Sequence, residues 1–291
     1  MEELPGPGPE IRGPPVSQSH APAAHYDRVT AAWRYLLGEE LHYGVFDEGV
    51  TDLAVATGEL TRRMIEGGRI EQGVSILDVG CGTGAPACRL AQEFGAHVTG
   101  ITTSEEGIRA AQERAKAAGL AAQTSFELRD GTDNGLPDAS FDRVWILESS
   151  HLMRRRERLI GEAARVLKPG GRVVLCDITR QRPLDLAEVR RLREPLALLR
   201  EVFGDARMEG LGDYRALMEG EGLTVDHEVD LTAATRPTFD AWQANADRYR
   251  TEVVELIGER AWTAFRDSCD VLAGFWDDGT LGYGLIAASR P

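Results

Sequence analysis

From Tyr26 to Leu37 apolar residues return every three or four positions (Val29, Ala32, Trp33, Leu36, Leu37), the spacing of an amphipathic helix. A loop with His42-Tyr43-Gly44-Val45-Phe46 follows, and a second helix is predicted over 51–66, stopping near Gly67-Gly68. The period then alternates. Val74–Val79 is a short apolar run before glycines and reads as a buried strand. Ala87–Phe94 reads as a helix, His97–Ile101 as a strand, and Ser104–Ala118 as a helix with Ser104 at its N-cap and Gly119 as its stop. Ser125–Arg129 and Phe141–Leu147 are strands. The second of these has the blurred alternation of a sheet covered on both faces. A helix over Arg154–Val166, ended by Lys168-Pro169-Gly170-Gly171, precedes a strand at Arg172–Ile178.

This βαβα rhythm predicts a doubly wound α/β fold on a mostly parallel sheet with right-handed crossovers. The last third departs from it. Leu184–Phe203 carries a helical stripe rich in arginine, Tyr214–Gly220 is a further helix, and Leu223–Leu231 a strand. A helical stretch runs from Pro237 to Phe275, and Leu281–Ser289 is the closing strand. The segments after the fifth strand and between the last two strands are placed as a helical lid over the carboxyl edge of the sheet, where open α/β sheets bind ligands.

Composition narrows the function classes. The 291 residues carry a net charge of −14, which opposes a phosphate backbone and an anionic membrane surface. No apolar run approaches the ~18 residues of a membrane span. The first residues, MEELPGPGPE, lack the basic and apolar regions of a signal peptide. The predicted partners are therefore a small molecule, with no nucleic acid and no membrane, in the cytoplasm. Oligomeric state is left open, a homo-oligomer being compatible. Residues 1–22 hold six of the thirteen prolines and read as a disordered arm. The body spans 23–291, with cap helices over 23–70, a ligand-binding core over 71–180, and lid segments with the last two strands over 181–291. The four cysteines, Cys81, Cys88, Cys176 and Cys269, suit neither a zinc site nor a disulfide framework. No metal is predicted.

The densest signal is Ile76-Leu77-Asp78-Val79-Gly80-Cys81-Gly82-Thr83-Gly84, at a strand-to-helix turn. Glycine there lets the backbone approach a ligand, and the N–H groups of the helix start favour a carboxylate. Dinucleotide sites space their glycines G-x-G-x-x-G. Here the pattern is G-x-G-x-G with an acid two residues ahead. A pyrophosphate gains nothing from Asp78, whereas a cationic amino group does.

With these motifs the chain resembles class I S-adenosylmethionine-dependent methyltransferases. It is most similar to the small-molecule branch: sarcosine/dimethylglycine-type, tocopherol-type, and bacterial sugar and macrolide enzymes. LDVGCGTG (77–84), HVTGITTS (97–104), RDGTDNGLPDASFD (129–142), LESSHLM (147–153) and ARVLKPGGRVVLCDI (164–178) match the family's motifs in order. The resemblance is densest over 25–180. It implies a Rossmann-like seven-stranded sheet with an antiparallel last strand, and S-adenosylmethionine as cofactor. It also implies that Gly80, Gly82 and Gly84 shape the loop under the cofactor's methionine part and that Asp78 holds its amino group. Asp130 and the Gly131 N–H would read adenine, and Leu147 and Glu148 would line the site. Tyr43, in LHYGVF, and Tyr26 would close over the cofactor. Many members grip the ribose with an acid where this chain has Thr102, so Thr102, Thr103 or Ser104 would share that contact.

Methyl transfer from a sulfonium is an in-line substitution, and a hydroxyl acceptor must also lose a proton. His151, just after the fourth strand, is the candidate base; Asp177, at the end of the fifth, would orient it or bind the acceptor. His42 is a secondary candidate. His20, His97 and His227 read as structural or exposed. Arg190, Arg191, Arg193 and Arg200 read as a solvated face paired with Glu188, Glu194 and Glu201, the alternative being an anionic or phosphorylated acceptor. The predicted reaction is methylation of a natural-product acceptor at oxygen. Nitrogen or carbon methylation, including that of a prenyl diphosphate, stands as the alternative, with a nicotinamide-dependent oxidoreductase behind it.

Overall fold

The computed structural model describes residues 22–291, with side chains from residue 29. The arm assigned to 1–22 lies outside the described residues except for Pro22. Tyr26 contributes only backbone, within the first helix; its side chain lies outside them too.

Two helices, α1 (Pro22–Leu36) and α2 (Leu53–Gly68), precede the sheet. The core then runs β1 (Ser75–Val79), α3 (Ala85–Phe94), β2 (His97–Thr102), α4 (Glu105–Ala117), β3 (Thr124–Leu128), β4 (Phe141–Leu147), α5 (Arg156–Val166) and β5 (Leu167–Arg180). After it come α6 (Leu186–Arg191), α7 (Arg193–Phe203), α8 (Leu211–Gly220) and β6 (Thr224–Asp230). The chain ends with α9 (Thr232–Thr235), α10 (Thr238–Arg248), α11 (Arg250–Ile257), α12 (Glu259–Asp277) and β7 (Leu281–Ser289). The seven strands form one sheet in the order β3-β2-β1-β4-β5-β7-β6. β1 to β5 pair in parallel, and β7 lies antiparallel between β5 and β6.

The central strands β1, β4, β5 and β7 are buried on both faces, which explains their poor alternation in sequence. Ile76, Trp145, Val174 and Cys176 belong to one apolar cluster; Leu77, Val144, Val173 and Leu175 belong to the other, on the opposite face. α5 and α8 cover the second cluster. The first is covered by α1, α2 and α3 and runs on without a break into α7, α10 and α12. The lid is therefore an extension of the molecule's own core.

Three predicted elements differ from what forms. The stripe over Leu184–Phe203 is two helices, broken at Leu192. Pro195 has no N–H for the carbonyl of Arg191, and its ring clashes there. The stretch from Pro237 to Phe275 is three helices, parted at Tyr249 and at Gly258, whose φ of 85° is left-handed. Lys168-Pro169-Gly170-Gly171 does not simply end a helix. It opens β5, which begins at Leu167 with a register shift against Phe141 and Arg143.

Candidate active site

The sheet order reverses between β1 and β4, and a cavity of about 810 Å³ opens there at the carboxyl ends of the strands. The turn after β1 forms its floor. Gly80 and Cys81 both donate backbone N–H bonds to the carbonyl of Ile101 (2.8 and 3.1 Å), which ties the turn to β2. All three glycines have positive φ, but they do different work. A Cβ on Gly80 would lie 2.2 Å from Ser149 Cβ, and one on Gly84 would lie 2.8 Å from Ala111 Cβ of α4. A Cβ on Gly82 would meet nothing within 4 Å among the described residues. Gly84 does not line the cavity: it is needed for helix packing, not for contact with a ligand. Gly82 supplies the free approach.

Asp78, on β1, is 3% exposed, and its Oδ2 has no partner among the described residues. Burial alone pushes its carboxyl up to about 7. A buried carboxylate oxygen left unpaired is costly unless a cation meets it.

Across the cavity, His151 lies on a short 3-10 turn, Ser150–Leu152, directly after β4. Leu147 pairs with Cys176 in the β4–β5 register, so four residues on His151 comes beside Asp177. Its Nδ1 lies 2.6 Å from Asp177 Oδ1. Asp177 is fully buried and its oxygens also accept from Ser150 Oγ (2.5 Å), His151 N (3.1 Å) and Ile178 N (2.8 Å). It does not line the cavity. Burial opposes charge on both partners, but the attraction between them wins. The His151 pKa is raised and that of Asp177 lowered.

The far wall of the cavity comes from the lid: Leu196, Leu199 and Phe203 of α7, Trp242 of α10, and Leu272 and Phe275 of α12.

Known proteins are similar to this chain. A family of mycolic acid cyclopropane synthetases matches residues 15–275. The 27-O-demethylrifamycin SV methyltransferase of Amycolatopsis mediterranei is 34% identical over 268 residues, covering 91% of this chain and 95% of that one. The chain belongs to the class I S-adenosylmethionine-dependent methyltransferases.

The solved cyclopropane synthase MmaA2 from Mycobacterium tuberculosis shares the fold, with a TM-score of 0.83 at 19% identity over 92% of this chain and 96% of that one. The [4+2]-cyclase SpnF is similar too, with a TM-score of 0.78 at 25% identity over 92% and 95%.

As a methyltransferase the chain uses S-adenosylmethionine, and the cavity fits it. The orphan Asp78 Oδ2 suits the ammonium of the methionine part, and the open face of Gly82 suits close backbone contact. The nicotinamide alternative falls with the family assignment. The other predicted contacts fare unevenly. Thr102, Thr103, Asp130, Gly131 and Leu147 all line the cavity. Asp130 Oδ1 is committed to the turn, accepting from Thr132 N and Oγ1, both at 2.8 Å. Ser104 lines the cavity as well and also caps α4: its Oγ accepts from Gly107 N at 2.9 Å, while its own N–H donates to Thr102 Oγ1 at 3.3 Å.

Tyr43 is 3% exposed and packs among Phe239, Trp242, Trp276 and Tyr283, stacked 5.6 Å from Trp276. Its N–H donates to Glu148 Oε1 at 2.8 Å, which also accepts from Tyr283 Oη at 2.5 Å. Glu148 thereby ties the Tyr43 loop and β7 to the end of β4, at the cost of a left-handed φ of 46°. Both residues border the cavity, yet these bonds are structural.

Both ring nitrogens of His42, which also borders the cavity, are engaged. Its Nδ1 lies 2.8 Å from the carbonyl of Tyr43 and its Nε2 2.9 Å from Glu40 Oε2. Burial works against charge here as well, but Glu40 outweighs it and raises the His42 pKa. Glu40, itself opposed by burial, falls to about 2 through His42 and Thr61.

Arg190, Arg191 and Arg193 are exposed, as a solvated face requires. Arg200 instead borders the cavity, 3.6 Å from Asp205. Glu188 pairs most closely with Arg182, at 2.8 Å, and Glu201 with Arg260 of α12, at 3.0 Å.

One prediction follows from the turn. Gly82→Ala should cost the fold about 1 kcal/mol for its left-handed backbone and weaken cofactor binding about tenfold, because the new methyl enters the cavity. Thermal melting and calorimetry read the two effects separately.

Proposed function

We propose that this methyltransferase transfers its methyl group to a hydroxyl of a small, largely apolar natural product, with His151 as general base oriented by Asp177. The observation that carries the reading is the 2.6 Å pair of His151 Nδ1 and Asp177 Oδ1 at the cavity wall. Asp177 only accepts in this pair, so Nδ1 holds the proton and Nε2 keeps its lone pair for the acceptor. When bound, S-adenosylmethionine supplies an electrophilic methyl on a sulfonium. Asp78 and the glycine turn hold that donor. The lid excludes water and orients the acceptor, and alignment of this kind can supply about 7–11 kcal/mol. His151 takes the hydroxyl proton, worth about 10²–10⁴ in rate. The rifamycin relative, whose name specifies an O-demethyl substrate, supports oxygen as the acceptor atom. The apolar faces of α7 and α12 support an apolar acceptor body. Four buried, unpaired cysteines fit action in the cytoplasm.

The pH profile tests the reading. Only neutral imidazole accepts a proton, and the His151 pKa is raised. With cofactor saturating, so that Asp78 is already paired, kcat/KM for the acceptor should climb tenfold per unit toward a plateau. The midpoint should lie above the ~6.5 of an ordinary histidine. A profile with no acid limb, or a methyl found on nitrogen or carbon, overturns the hydroxyl reading.

A further inference from the structure

We infer that Tyr214 and Ser150 form a positioning relay that sets the basicity of His151 through Asp177; the inference rests on the proposed role of His151.

The geometry fixes the direction of the chain. Ser150 Oγ lies 2.5 Å from Asp177 Oδ2 and 2.7 Å from Tyr214 Oη. The carboxylate can only accept, so the single Ser150 proton points to Asp177. Tyr214 must then donate to Ser150. Burial, followed by the Asp177 charge, holds the phenol at about 12, so it keeps its proton. Tyr214 is fully buried, as is Ser150, and the relay is shut off from water. It reaches His151 from α8, across the sheet face opposite the lid core.

Asp177 favours the imidazolium form of His151 in proportion to the charge left on its oxygens. Ser150 draws on that charge, and donation from Tyr214 strengthens the draw, because linked hydrogen bonds polarise one another. The relay therefore lowers the proton affinity of His151 relative to an Asp177 without it. That brings the base closer to working pH, where a catalytic pKa is most effective.

Other groups face the dyad, and the relay acts on top of them. Glu148, at the end of β4, pulls the His151 pKa up, and Arg156 of α5 pulls it down. Arg156 also bonds the His151 carbonyl at 3.2 Å, and Arg207 N donates to the same oxygen at 2.8 Å. Tyr43, Cys176 and Tyr283, all buried, have pKa values well above their usual range and stay neutral.

The test uses Tyr214→Phe and Ser150→Ala in the full chain. Histidine labelled with ¹³C at Cε1 gives the His151 titration by NMR, with His151→Gln assigning the signal. Each variant should raise the His151 pKa by about one unit, a tenfold gain in proton affinity. The double variant should shift it no further than Ser150→Ala alone, which separates the path through Ser150 from one through Arg156, the second partner of Tyr214. The acid limb of kcat/KM should move upward by the same amount. A merely structural role would lower the melting temperature and leave the titration in place, which overturns the relay. If the NMR titration shifts while the acid limb stays, the relay stands and the assignment of His151 as base fails.

Discussion

Replacing His151 with alanine should lower kcat about 10²–10⁴-fold, the usual worth of a positioned base, while cofactor affinity by calorimetry stays at the wild-type value. The separation is expected because Asp78, proposed to hold the donor, lies on β1, and His151 follows β4. Asp177→Asn should fall into the same range. An amide can turn its N–H toward His151 Nδ1, which moves the imidazole proton to Nε2 and removes the lone pair the acceptor needs. The measurement is single-turnover methyl transfer with cofactor and acceptor saturating. A kcat for His151→Ala close to wild type would show that the acceptor arrives already deprotonated.

The second large effect belongs to Asp78→Asn. Pairing a buried carboxylate with an ammonium is a charged hydrogen bond of about 1.5–3 kcal/mol, so cofactor affinity should drop by roughly one to two powers of ten. The wild-type affinity should also depend on pH. With no ligand, Asp78 titrates at about 7. Below that value it carries a proton that must leave before an ammonium can pair, so binding weakens toward acid and releases protons. In the asparagine variant this dependence should be gone. The control is the melting temperature without cofactor. The folded pKa lies above the unfolded ~3.9, so Asp78 costs the fold stability as pH rises through that window, in full above about 7. At pH 8 the unliganded variant should therefore melt no lower than wild type. A variant that binds normally would remove Asp78 from the donor site.

The strands and the turn after β1 were legible in the sequence because their physics is local. An apolar run before G-x-G-x-G fixes β1 and its turn, and Ser104 declares a helix start by its spacing to Gly107. Gly80, Gly82 and Gly84 look alike in the chain, but what each faces depends on Ser149, Ala111 or open space, all brought there by tertiary packing. Tyr214 carried no signal at all. It is one aromatic residue on an ordinary helix, 64 positions from its partner Ser150. The breaks at Leu192 and Gly258 were hidden for the opposite reason: the apolar stripe continues across both, so periodicity alone runs the helices together.

The donor and acceptor halves of the cavity come from different stretches of chain. Asp78 and Thr102 lie on early strands and Asp130 just after one, whereas Leu199, Phe203 and Phe275 lie on helices inserted after β5 and β6. Selection can therefore rewrite α7 and α12 while the methyl donor's seat is inherited intact. Gene duplicates of such a scaffold are free to explore new metabolites, and the tolerance has one boundary: substitutions there must still fill the interior they share with the sheet.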